Sequence, residues 1–455
     1  MIGLKLVPAM RNCLVAAALV LAACGQNAAA PGAASDVTVL KDFTLIDGTG
    51  AAPAPDSAMV LTGGKISWVG PASSLQIPDG AKTVELAGKY VMPGLIDLHV
   101  HLGNTKDLTQ HERNFTKESV ESDLKTYASY GVTTVMSAGT DKDLIFPIRA
   151  EQRAGRPTMA RVYTAGQGLP LTGGYGGVPG INKGVGSVAE AVAAVDAQAA
   201  KGVDFIKFWL DDEQGVMPKF SPEMTKAIID AGHRHNLKVY AHVFYLEDAK
   251  RLVDQGVDGF MHSVRDQPVD QALVDAMKAK GVVQIAETLS REASLVAFSG
   301  PSPIFDDPFF QRSLSPAALQ LMRGAERQAA QQGLPYYAEL PAFEQMAIDN
   351  TRRLREGGVT VGFGTDSGPP GRFPGYFTHW ELELLTKAGM TPSEAIRTAT
   401  SGAAAILGNN ELGSLQVGKW GDLIVLDADP TADILNTRKI NAVYIAGNPV
   451  APSTR

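Results

Sequence analysis

The chain has 455 residues, of which 45% are hydrophobic and 20% charged, the composition of an ordinary globular protein with a large core. Its net charge is −7 and no run of lysine and arginine occurs, which argues against a nucleic-acid partner. Length alone gives a prior of about three domains, although barrels of alternating strands and helices often exceed that prior as single units.

Residues 1–24 read as a signal segment. Lys5 and Arg11 precede an apolar run from Cys13 to Ala23 that is too short to span a bilayer. The run ends in Leu21-Ala22-Ala23-Cys24-Gly25, which resembles the lipobox of bacterial lipoproteins. That resemblance implies that Cys24 is lipidated and becomes the mature N-terminus. Gly25 in place of aspartate implies export to the periplasmic face of the outer membrane. The plainer alternative is a secretory signal cleaved nearby. Residues 25–36 are dominated by Ala, Gly, Pro, Ser and Gln and read as a flexible tether. With Cys13 removed and Cys24 acylated, no disulfide is expected, and the lipid is the only expected link to a membrane.

Residues 37–90 read as short strands, among them Val37–Leu40, Ala58–Thr62 and Lys65–Val69, with a turn at Gly63-Gly64. Residues 410–455 have the same texture, so both termini are expected to build one small β-sandwich domain. Between them, over 91–409, strand signals fall at 91–102, 131–138, 161–166, 203–210, 238–243, 258–264, 282–287 and 359–366. Helical patterns at 116–130, 187–201, 221–236, 246–256, 269–280, 342–357 and 391–407 separate or follow them. Eight strands alternating with helices predict an α/β protein, a (β/α)8 TIM-type barrel. Residues 289–341 are too long for an ordinary connection and predict a lid-like insertion over one barrel mouth, helical near 315–332.

The first barrel strand ends in His99-Val-His101. Side chains alternate along a strand, so both histidines share a face, with Asp97 in step behind them. Active-site groups of such barrels lie at the C-terminal ends of strands. Polar residues that interrupt later strands near their ends are Lys207, Tyr240, His242, His262 and Asp366. Four histidines, a lysine and an aspartate gathered this way make a metal site. A lysine in an apolar strand is costly unless paired or neutralised. Its unprotonated amine can take up carbon dioxide, giving a carbamate whose two oxygens bridge two cations. Tyr240 shares a face with His242, which fits either contact with a substrate carbonyl or a place in the core. Arg265, three residues past His262, fits a substrate carboxylate or a surface ion pair. Tyr175, in a glycine-rich loop, and His379, after the last strand, are further substrate candidates. His111, His233 and His235 lie away from strand ends and read as solvated.

Over roughly residues 37–450 the chain resembles the amidohydrolase superfamily in its binuclear-metal subtype. The resemblance rests on Thr44-Leu-Ile-Asp-Gly-Thr-Gly50, on the run Gly88 to His101, on Gly131-Val-Thr-Thr-Val135, and on Thr400-Ser-Gly-Ala-Ala404 with Gly418 to Leu426. It implies that His99 and His101 bind the more buried metal, Lys207 bridges as a carbamate, and His242 and His262 bind the second metal. Asp366 would bind the first metal and move the proton. Two divalent ions are implied, zinc by donor chemistry, with manganese or cobalt as alternatives. Within the superfamily the likeness is to prolidase-like and imidazolonepropionase-related enzymes, carried by Ile206-Lys207 and by His379-x-Glu381-Leu382-x-x-Leu385. Tyr175 departs from it, standing where histidine is expected, which puts substrate preference in doubt. The implied reaction cleaves an amide bond of a dipeptide or N-acyl amino acid with a metal-bridging hydroxide. Lactone or phosphotriester hydrolysis on the same metals is the alternative. A deaminase is disfavoured because Tyr245 stands three residues after His242 where glutamate is expected. A non-catalytic surface lipoprotein would have no need for Asp366. The partner expected is a small-molecule substrate, with homo-oligomerisation left open.

Overall fold

The computed structural model describes residues 36–285 and 288–452. The expected signal segment, Cys24 and nearly all of the tether lie outside the described residues. Among those described, no helix is long and apolar enough to cross a membrane.

Eight parallel strands follow one another in the order the sequence predicts. The first three are Leu95–Val100, Val132–Ser137 and Arg161–Thr164, hydrogen-bonded as one set. The other five form a second set: Ile206–Trp209, Val239–His242, Gly259–Met261, Val283–Ile285 and Val361–Gly362. Backbone bonds cross both seams between the sets. Asp204 N donates to Thr164 O at 2.9 Å, Leu98 N to Phe363 O at 2.8 Å, and His101 N to Ser367 O at 2.8 Å. Helices pack outside, including Lys117–Ser129, Val188–Ala200, Pro222–Arg234, Leu246–Gln255 and Gln271–Lys280. The architecture is an α/β fold of TIM-barrel type.

The strand expected over 91–102 is two strands. Tyr90–Pro93 belongs to a separate sheet, and Leu95–Val100 begins the parallel set. Gly94 makes the crossing: its N donates to Asp422 O at 2.9 Å, and a Cβ there would stand 2.2 Å from Thr133 Cγ2. Only glycine fits so close an approach. The separate sheet joins both ends of the chain in one eight-stranded hydrogen-bonded array. Val37–Leu45 sits in its middle and changes partner along its length, from Lys82–Glu85 to Tyr90-Val91. Leu40, Phe43, Met59, Val91, Leu423 and Val425 form its apolar core.

Outside the 289–341 segment, two described helices lie where no helical period was read, Ile145–Ala154 and Tyr376–Lys387. In the second, nine of twelve residues are buried, so it has no polar face to mark a 3.6-residue period. The 289–341 segment is mostly helical. Thr288–Ala297 opens it, and the helix expected over 315–332 is two helices, Pro316–Arg323 and Ala325–Gln332, broken at Gly324. Phe298 stacks on Phe305 at 5.2 Å and lies 5.9 Å from Trp380, while Phe310 meets Phe373 at 5.5 Å. These rings bind the insertion to the Tyr376–Lys387 helix and to the loop before it.

Candidate metal centre

The first parallel strand supplies two imidazoles. His99 lies in the strand and His101 just past its end, and period two turns both rings inward, with centroids 5.3 Å apart. Asp97, one step further back, is fully buried. Its carboxylate accepts from His99 N at 3.2 Å and Thr365 N at 3.1 Å, and from the Thr365 hydroxyl at 2.8 Å and that of Thr378 at 3.2 Å. These bonds tie the first strand to the loop after the eighth. Burial pushes the Asp97 carboxyl up to about 7.

That loop carries Asp366. Its Oδ1 lies 3.1 Å from His101 Nε2 and 3.5 Å from His99 Nε2, and its Oδ2 lies 4.0 Å from His262 Nε2. The ligand atoms of His99, His101 and Asp366 fall within 4.8 Å of one another, all buried, a group able to hold a metal ion. His262 and Asp366 have φ of +86° and +52°, conformations that non-glycine residues adopt only when the surroundings impose them. Both residues sit where chain direction must break to aim a polar side chain inward.

His262 and His242 are neighbours, with ring centroids 4.1 Å apart, and His262 lies 5.0 Å from His99. His242 offers the sharpest test of metal fit. Its Nε2 is 2.8 Å from Asp211 Oδ2, while its Nδ1 is buried with no hydrogen-bond partner among the described residues. An imidazole held by a carboxylate at one nitrogen and open at the other is the arrangement of a metal ligand. His101 is oriented by a hydroxyl instead: its Nδ1 lies 2.8 Å from Thr140 Oγ1, which turns Nε2 to Asp366.

Burial lowers the pKa of all four imidazoles, with the Lys207 charge acting in the same direction; His242 is brought to about 4. They are neutral at physiological pH, the form that ligates. Burial alone would raise the Asp366 carboxyl, but Arg372, His99 and His101 outweigh it and hold it well below the carboxylate range. Lys207 is fully buried on the fourth strand, its Nζ 3.3 Å from Met261 Sδ.

The structure thus brings together His99, His101, Lys207, His242, His262 and Asp366, together with Tyr175, whose ring lies 5.0 Å from His242. The other expected substrate residues are engaged in packing or ion pairs. Tyr240 does share the inner face with His242, but one layer deeper, against Phe205 at 5.7 Å in an apolar cluster with Met136 and Ile285. Period two gives a face and says nothing of depth. His379 is engaged at both nitrogens, by Thr437 Oγ1 at 3.0 Å and by Tyr130 O at 2.8 Å, and belongs to the packing of its helix. Arg265 is buried near the site, but Glu292 lies 3.2 Å from its Nε, and it donates to the Val243 and Ser263 carbonyls. Sequence reasoning missed Asp211, Thr140, Arg291 and Arg372. Arg372 pairs with Asp366 Oδ2, and Arg291 Nε lies 3.6 Å from it. Asp211 carried a signal, a carboxylate four residues after Lys207 at the same strand end.

Comparison with known proteins agrees with this geometry. The family model described as the amidohydrolase family matches residues 90–450. Ochratoxinase of Aspergillus niger is 25% identical, the match covering 88% of this chain and 82% of that protein. Imidazolonepropionase of Streptomyces avermitilis is 24% identical over 82% of this chain and 81% of its own. The solved structure of a Bifidobacterium longum protein provisionally named a prolidase superposes with a TM-score of 0.74 at 27% identity, covering 93% of this chain and 97% of that one. With a family match over most of the chain and a buried His-His-Asp group at the strand ends, the protein belongs to the amidohydrolase family and is a hydrolase acting on C–N bonds.

Proposed function

We propose that the protein cleaves the amide bond of a dipeptide or N-acyl amino acid, using two divalent metal ions, zinc by donor chemistry or else manganese or cobalt. The observation that carries this reading is the convergence of four neutral imidazoles and Asp366, with the open Nδ1 of His242 among them. His99, His101 and Asp366 would hold one ion, and His242 and His262 the other. Lys207, as a carbamate formed from carbon dioxide, would add oxygen donors to the site. A carbamate removes the cost of a buried ammonium among four imidazoles.

When bound, such a metal pair lowers the pKa of water towards ~7 and polarises the scissile carbonyl. Asp366 takes the proton released on attack and delivers it to the leaving amine. Arg372 and Arg291 beside it keep its carboxylate ionised until then. Tyr175 lies close enough to His242 to border the substrate. The backbone bonds across both strand seams support a closed eight-stranded barrel that begins at Leu95 rather than at 91, and the partner change within Val37–Leu45 supports a doubled, sandwich-like sheet from residues 37–93 and 410–455. We place the protein outside the cytoplasm, anchored through Cys24.

A hydrolysis screen of the metal-loaded protein over dipeptides and N-acyl amino acids, with lactones and phosphotriesters as controls, tests the reading. Amide turnover above the controls is expected; turnover of a control class alone would overturn it.

A further inference from the structure

Arg265, Arg291 and Arg372 gather around the metal centre, each beside a carboxylate. Arg265 and Arg291 share Glu292, and Asp211 and Glu213 act on them as well, so these two arginines are matched by carboxylates. Arg372 pairs with Asp366, the carboxylate that also faces His99 and His101 and is therefore already committed to the metal group. Arg327, on the Ala325–Gln332 helix of the insertion, has a buried Nε with no hydrogen-bond partner, and no carboxylate pairs with it among the described residues. A Cβ at Gly371 would stand 2.9 Å from an Arg327 guanidinium nitrogen, so Arg327 lies against the loop that carries Arg372. The two positive charges act on each other: burial, and then Arg372, depress the Arg327 pKa. Arg372 also borders a cavity of about 570 Å³ with Gly368, Pro369, Leu314 and Phe373, within the size range of small-ligand sites.

Two guanidinium groups side by side, one of them without a counter-charge, are an incomplete site. An anion completes it, and planar guanidinium forks suit a carboxylate. We propose that Arg372 and Arg327 form a carboxylate-recognising pair, so that the substrate is an acid with its carboxylate free rather than a neutral amide. This inference rests on the amide-hydrolase reading of the site. It gives the role expected for Arg265 to two residues outside the strand ends, one of them from the insertion.

The test compares kcat/KM for N-acetyl-L-leucine and N-acetyl-L-leucinamide in the metal-loaded wild type, Arg327→Ala, Arg327→Lys and Arg372→Ala. A site built around a polar group rejects the analogue lacking it, so a preference of at least ~100-fold for the acid is expected. Arg327→Ala should lose about 10- to 100-fold on the acid, mainly through KM, with little change on the amide, whereas Arg372→Ala, which also strips Asp366 of its partner, should lose on both compounds and more on the acid. Arg327→Lys should fall between, and thermal unfolding should show all variants folded. Equal rates on both compounds, or equal losses on both in the variants, would overturn the pair. If neither compound is hydrolysed, the amide-hydrolase reading fails separately, and calorimetric titration with hexanoate and hexanamide still decides the pair. Hexanoate binding weakened about tenfold in Arg327→Ala supports it. Equal hexanoate affinity in wild type and variant, as for a carboxylate held by the metals alone, sinks it.

Discussion

His242 gains its chemistry from a neighbour that the strand pattern does not mark. Asp211 fixes its Nε2 and so leaves Nδ1 to face the site. Carboxylates in this position orient a ligand and raise its basicity, and their loss costs about 10- to 100-fold in metal affinity. Asp211→Ala should show a loss of that size by chelator competition, and unchanged affinity would count against the role. His379 illustrates the opposite case, a histidine that serves packing. Burial lowers it to about 3 against an ordinary 6.5. As pH falls below 6.5 the unfolded chain takes up this proton and the folded one does not. Stability present above pH 6.5 is therefore lost progressively down to about 3, roughly 3 kcal/mol by pH 4. His379→Gln should be less stable at pH 7 yet lose less melting temperature between pH 7 and 4 than the wild type. Parallel losses would contradict this. The six proposed metal-binding residues were legible because each interrupts an apolar strand at its end. Arg291, Arg327 and Arg372 were not, because loops and insertions carry no period to break.

At the scale of elements, alternation revealed the parallel strands but not how they end. The eighth strand pairs regularly only over Val361–Gly362, and its apolar pattern continues into a bent segment that still bonds to the first strand. Gly368, just beyond Asp366, has φ +117°, and a Cβ there would stand 1.9 Å from His101 O. Gly368→Ala must push this loop off the first strand and carry Asp366 with it. A misplacement of about 1 Å can cost ~100-fold in rate, and a loss of that order, with a lowered melting temperature, is expected. Wild-type activity in this variant would show that the loop tolerates displacement. The Tyr376–Lys387 helix was unreadable for a different reason: a helix buried on nearly all sides shows no amphipathic stripe. Its Glu381 accepts from Ser290 N at 2.7 Å, so it also fixes the start of the insertion.

For the whole molecule, the sequence displayed the strand–helix alternation and the matching texture of both ends, and these are the parts that recur in the parallel sets and the shared sheet. It could not display the break at Gly94, because one apolar run serves both sheets. Anchoring is a property of the whole chain as well: Cys24→Ala should move the protein from the membrane to the soluble fraction, and a variant that still sediments with membranes would exclude the lipid. The central claim is that the buried imidazoles, Lys207 and Asp366 hold two metal ions. Elemental analysis of purified wild type and Lys207→Ala tests it most directly. The account predicts close to two divalent ions per chain in the wild type and one or fewer in the variant. One or none in the wild type, or two retained without Lys207, would contradict it.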